Sequence, residues 1–202
     1  MIDITRTLGA STPVWPGDEP VRLVKDDWPE NGPNVSSVHM SLHAGTHADA
    51  PLHYDAEGKD AAGLGLLPFI GPCYVLELPK GETNVDAALL DRLPADTERV
   101  LIKTPASGLD GRAYIASGYG LTVEAARRVV EACCALVGVD GPSVGARGPD
   151  GDAVHRILLM GGVAVVEGLD LSRAREGEYM LFCPPLKLAG GEGAPLRAVL
   201  IK

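Results

Sequence analysis

"HAGTHADAPLH", residues 43–53, holds three of the five histidines in a chain of 202 residues, with Asp49 among them. Gly45 admits backbone conformations that a Cβ would resist, and Pro51 stops a helix from continuing. The chain must therefore bend between His43 and His53. Upstream, "VSSVHMSLH" (35–43) alternates as a strand does, with Val38, Met40 and Leu42 on one face and Ser37, His39, Ser41 and His43 on the other. A polar strand face ending at His43 delivers an imidazole to a site rather than to the core. His43, His47 and Asp49 together offer two nitrogens and one oxygen, a set suited to zinc or a neighbouring divalent ion. The plain alternative is a group of surface or capping histidines. Their density in so histidine-poor a chain weighs against it. His39 shares the strand face of His43 and reads as a support for the site or as surface.

Outward from this stretch, apolar runs bounded by Gly, Pro or charge predict strands at 2–5, 20–25, 35–43, 73–78, 99–104, 135–139, 163–167, 179–183 and 196–201. The best helix is 123–134, "VEAARRVVEACC", with Thr122 as N-cap, Glu124 in the first turn, and Val123, Ala126, Val130 and Cys134 on one face. Shorter helices are expected at 84–91 and 152–160. The glycine-rich "AGGEGAP" (189–195) reads as a hairpin loop. Strands dominate and a few helices cover them, so the class is mixed α/β. With 25 glycines and 16 prolines spread throughout, elements should be short and turns many. Nothing marks a boundary, so residues 1–202 read as one domain.

Composition excludes several roles. The chain is 46% hydrophobic and 22% charged, as globular proteins are. A net charge of −9, from 18 basic and 27 acidic residues, argues against a nucleic-acid partner. The start, "MIDITRTLGA", has no basic segment followed by an apolar one, and no apolar run reaches the length of a membrane helix. A cytoplasmic enzyme or binding protein acting on a small molecule is expected, away from any membrane. The four cysteines, Cys73, Cys133, Cys134 and Cys183, form no C-x-x-C and are expected to pack in the core.

Two further residues carry chemistry. His155 lies in "DAVHRILL", and Glu167 ends the apolar run "GVAVVEG". A carboxylate closing a buried strand is costly unless it is paired or bound to a cation. Its partner is either an arginine such as Arg156 or Arg173, or a metal.

"SLHAGTHADAPLHY" resembles the H-x-G-T-H-x-D-x-P-x-H signature of the cyclase family of metal-dependent hydrolases. The likeness extends over nearly the whole chain. "TPVWPGD" (12–18), "GLTVEAARRVVE…LVGVDGPSV" (120–144) and "PLKLAGGEGAPLRAVLI" (185–201) resemble blocks of the family's formamidase branch. The resemblance implies a strand-rich, swivelling β/β/α-type α/β fold, a homodimer, and two divalent ions per chain, usually Zn2+. Carried over by position, His43 and His47 hold the first ion, Asp49 and Glu167 bridge the pair, and His155 holds the second. His53 is the general acid/base, and Trp15 lines an aromatic substrate pocket. The implied reaction is hydrolysis of N-formyl-L-kynurenine to L-kynurenine and formate in tryptophan breakdown. One departure stands out: after "GPSV", where many relatives carry an aspartate, this chain has Gly145, in the loop leading to His155.

The chemistry of the residues agrees with that reading. Two divalent ions can activate water and polarise an amide carbonyl at neutral pH. An imidazole with a pKa near 6.5 can protonate the leaving amine, and His53 is the clustered histidine left for that task. Two other readings stay open. One is a sibling hydrolase of the same family that opens a cyclic amide such as isatin or cleaves another aryl amide. The other is a metal-binding protein without catalysis, which would have no use for His53. A serine hydrolase lacks support, since no G-x-S-x-G elbow is present.

Overall fold

The computed structural model describes residues 1–146 and 148–202. Its strands, in chain order, are β1 (Ile2–Asp3), β2 (Arg22–Asp27), β3 (Val35–His39), β4 (His47–Asp49), β5 (Ile70–Glu77), β6 (Arg99–Lys103), β7 (Leu136–Val139), β8 (Ala164–Glu167), β9 (Gly177–Phe182), β10 (Gly193–Pro195) and β11 (Val199–Ile201). The α-helices are α1 (Ala87–Leu90), α2 (Gly111–Ile115), α3 (Val123–Glu131) and α4 (Pro149–Met160). Nine strands form one curled sheet in the order β1-β11-β9-β5-β6-β7-β8-β4-β10, while β2 and β3 pair separately.

The centre of the sheet is parallel, β5-β6-β7-β8. Parallel strands need crossovers, and here α1, α3 and α4 lie in the three connections. Being covered on both faces, these strands are apolar almost without interruption: β6 opens "RVLI" and β7 is "LVGV". Alternation divides them between two cores. Leu76, Val100, Ile102, Val137 and Val165 pack under the helices against Leu89, Ala126, Val129, Val154 and Leu158. Val75, Leu101, Leu136 and Val166 face the other way, onto Ile4, Phe69, Leu169, Leu181 and Leu200. The flank β9-β11-β1 is antiparallel and covered on one side only, so β9 buries Tyr179 and Leu181 while Met180 and Phe182 remain exposed.

Every strand expected from the sequence has a counterpart, but two were missed. The strand expected over 35–43 ends at His39. Residues 41–46 turn instead, with Ala44 N–H donating to Ser41 O, and the chain re-enters the sheet as β4. The expected hairpin loop 189–195 is also corrected: Gly193–Pro195 is β10, paired with β4. Three residues are too short for a periodic signal. Among the helices, 84–91 shrinks to α1, 123–134 stops at Glu131, and 152–160 begins earlier, at Pro149, a residue well suited to a helix's first turn. Helix α2 carried no signal in the sequence. Thr122 caps α3 as expected, accepting from Ala125 N–H. Of the cysteines, Cys73, Cys134 and Cys183 are buried, whereas Cys133 is exposed. No helix of the described residues is long and apolar enough to cross a membrane.

Candidate metal centre

β4 builds the centre. His47 and Asp49 are two residues apart and share one face, while Ala48 points into the core on the other. Register then adds the third group, because Glu167 on β8 is the direct cross-strand partner of His47. The two backbones cross closely beside it. Gly168 has φ +68°, and a Cβ there would come within 2.1 Å of Gly45 O. Thr46 holds the crossing, its hydroxyl donating to Gly168 O at 2.6 Å. The turn before β4 swings His43 over Asp49, with Nδ1 3.0 Å from Oδ1. The 3-10 turn Pro51–His53 after β4 brings the His53 ring to 4.2 Å from that of His43.

His155 comes from α4. Its Nδ1 lies 2.8 Å from Gly151 O, and its Nε2 stands 3.1 Å from Glu167 Oε1 and 3.7 Å from Asp49 Oδ2. Glu167 also accepts from Val144 N–H at 2.7 Å. Neither arginine offered as a partner for Glu167 occupies that role; Arg156 instead donates to Tyr54 O. The Gly145 departure has a steric reason. A Cβ at that position would sit 2.7 Å from Gly151 Cα, so no aspartate fits between this loop and the first turn of α4.

All six clustered residues named from the sequence thus converge. Ligand atoms of His43, Asp49 and His53 lie within 4.8 Å of one another, as do those of His47, Asp49 and Glu167. His39 does not join them: it is exposed on β3, 3.5 Å from Glu19. Trp15 lines the cleft above the cluster, about 240 Å³ in volume, together with Asp18, Tyr54, Tyr114 and Asp152. Sequence reading missed those four. Only Tyr54 carried a usable signal, standing next to His53; its ring stacks on His155 at 4.9 Å.

The electrostatics test whether cations fit. Two buried carboxylates with oxygens within 4.8 Å of each other are costly without positive charge beside them. Both oxygens of Asp49 and the Nε2 atoms of His43 and His47 are buried without a hydrogen-bond partner. His47 Nε2 approaches at ion-pair distance, 3.4 Å from both Asp49 and Glu167, without making a hydrogen bond to either, whereas His155 Nε2 is hydrogen-bonded to Glu167 Oε1 at 3.1 Å. Burial alone would lower His47, yet Asp49 and Glu167 outweigh it and raise its pKa to about 10. His155 is likewise lowered by burial and then raised by Glu167 and Asp49, to about 9. Burial would raise Asp49, but His43 and His47 hold it well below the ordinary carboxylate range. Glu167, pushed up by burial and by Asp49, is brought below its usual value by His155 and His47. Protons stand where cations are called for, and the nitrogen and oxygen donors fit divalent metal ions. His53 differs. Burial lowers its pKa below the usual histidine value, so it is neutral at pH 7.

A buried cluster of carboxylates and imidazoles at the floor of a cleft, on a curled α/β sheet, is the candidate metal centre of a hydrolytic enzyme. The sequence profile of the family described as Putative cyclase matches residues 2–146. A kynurenine formamidase of Salinibacter ruber is 34% identical over 99% of this chain and 96% of its own. A predicted metal-dependent hydrolase from Bacillus stearothermophilus superposes with a TM-score of 0.81 at 29% identity, over 98% of this chain and 96% of that one. Isatin hydrolase A from Labrenzia aggregata shares the fold, with a TM-score of 0.85 at 24% identity over 99% and 93% of the two chains. The chain belongs to the cyclase family.

Proposed function

We propose that this enzyme is an arylformamidase that hydrolyses N-formyl-L-kynurenine to L-kynurenine and formate, in tryptophan degradation. The observation that carries the reading is the cleft: aromatic side chains, Trp15, Tyr54 and Tyr114, wall a space whose floor is the buried ligand cluster. Whole-length similarity to a kynurenine formamidase supports it. His43 and His47 would hold one divalent ion and His155 the other, with the carboxylates of Asp49 and Glu167 completing the ligand set, and zinc is the metal that this set favours. Bound there, the ions supply an activated water and a polarised carbonyl. The chain's own residues do the rest. Trp15 offers a flat face to the substrate's aryl ring. His53, at the rim of the cluster, takes a proton from the water whose oxygen adds to the formyl carbon and returns it to the aniline nitrogen as the carbon–nitrogen bond breaks.

One observation favours a second role for His53, since its ligand atom groups with those of His43 and Asp49. Paired variants described below separate the two roles. We further propose a homodimer, supported by the exposed apolar residues of the β2–β3 hairpin, and a cytoplasmic setting, where the chain's free thiols are at home.

The test is a panel of substrates for zinc-loaded protein: N-formylkynurenine, formylanthranilate and isatin. Formylkynurenine should have the highest kcat/KM. Preference for isatin would transfer the assignment to a cyclic amide, consistent with the shared fold of the isatin hydrolases.

A further inference from the structure

An imidazole that binds a metal presents a lone pair from one nitrogen and carries its proton on the other, and what accepts that proton sets the ring's orientation and basicity. His47 and His155 are served by the backbone. Nδ1 of His47 lies 3.1 Å from Gly45 O, and Nδ1 of His155 lies 2.8 Å from Gly151 O, so each ring turns its Nε2 toward the carboxylates. His43 is mounted the other way round. Its Nδ1 faces Asp49 at 3.0 Å, and its Nε2 points away from the cluster, buried and without a hydrogen-bond partner. The group in front of that nitrogen is the carboxylate of Glu192, with Oε1 3.6 Å away.

Glu192 is held there by backbone bonds on both sides. Its carbonyl accepts from Ala50 N–H at 2.8 Å, directly after the ligand strand β4. Gly193 pairs with Asp49 in register, and Gly191 O accepts from Ala61 N–H at 2.8 Å. Among the described residues, no lysine or arginine forms an ion pair with Glu192. A side-chain shift of roughly half an ångström closes the gap to hydrogen-bond distance.

We propose that Glu192 is the positioning residue for His43. With metal bound, its carboxylate would accept the Nε2 proton, leave Nδ1, on the Asp49 side, as the bare nitrogen available to the metal, and strengthen that nitrogen as a donor. The proposal rests on the metal-centre reading above, and not on the identity of the substrate.

The experiment uses full-length protein freed of metal and titrated with Zn2+ against a chromophoric chelator, for wild type, Glu192→Ala and Glu192→Gln. Wild type should take up two ions. In Glu192→Ala one of the two binding steps should weaken by about 10–100-fold, the usual effect of losing such a partner, while the other stays unchanged. Glu192→Gln keeps an acceptor oxygen and should recover part of the loss. In parallel, nitrogen NMR of histidine-labelled, zinc-loaded protein should show His43 protonated at Nε2 in wild type and no longer uniformly so in Glu192→Ala. Unchanged affinity in Glu192→Ala, or equal weakening of both steps, overturns the proposal. Wild type that takes up no metal overturns it together with the metal-centre reading, and the panel of substrates tests the formamidase reading independently.

Discussion

Asp49 is the residue on which both ligand groups meet, and replacing it should differ in kind from replacing His53. Asp49→Ala leaves the cluster with one carboxylate fewer among its imidazoles, so bound metal should fall. His53→Ala removes a half-buried imidazole at the rim. It should keep its fold and close to its full metal content, yet lose roughly 10²–10⁴-fold in formylkynurenine turnover, the range of general acid/base groups. Equal metal loss in both variants would make His53 a ligand instead. Protons at His47 and His155 lead to a second expectation. Both imidazoles are raised in the folded, metal-free protein, to about 10 and about 9. Their contribution to stability is complete below the unfolded value of about 6.5 and is lost as pH rises through the folded values. Asp49 and Glu167, held low, lose theirs only in acid. Chelator-treated protein should therefore melt at progressively lower temperature between pH 6.5 and 10. Zinc affinity should rise over the same range, since binding must expel those protons. A melting temperature flat across this window, measured by calorimetry, contradicts the protonation scheme.

Among the elements, α3 shows how local chemistry and a tertiary demand can disagree. The helix ends in a Schellman motif, with Cys133 N–H donating to Val130 O and Cys134 N–H to Val129 O. That motif puts Cys133 at φ 55°, a left-handed conformation in which glycine is the favoured residue. The cysteine is exposed and its thiol reaches only Glu131 O, at 3.9 Å. Cys133→Gly should thus stabilise the protein by about 0.5–1 kcal/mol, the relieved strain being partly offset by the freedom of glycine in the unfolded chain. Thermal melting should move up by about 1–4 °C; a decrease would show that the cysteine side chain supports something beyond the turn. Helix boundaries elsewhere were legible only where a cap announced them. Thr122 marks the start of α3, whereas α2 begins at Gly111 after an aspartate that makes no side-chain cap bond.

At the scale of the whole molecule, the β2–β3 hairpin is the exposed feature. Its strands form a sheet of their own, all five residues of β3 are exposed, and Leu23 and Val38, at 66% and 60% exposure, face each other across it. A lone two-stranded hairpin is marginal in water, so a second copy of this chain covering it accords with the proposed homodimer. Leu23→Asp together with Val38→Asp should then shift sedimentation from dimer to monomer; a wild type that already sediments as a monomer removes the dimer. The sequence by itself determined which residue types would gather in one cluster, because a dense His/Asp motif is a local pattern, and it determined the central strands, because parallel strands buried on both faces must be apolar. Only the tertiary structure decided that β4 is a strand at all, since three residues show no period and their pairing with β8 and β10 comes from 116 or more residues downstream. The same long-range register set Glu167 opposite His47, chose it over an arginine as the partner of that carboxylate, and brought Glu192 behind His43. Contacts of that kind depend on how separate segments align across a sheet, and no stretch read alone contains the alignment.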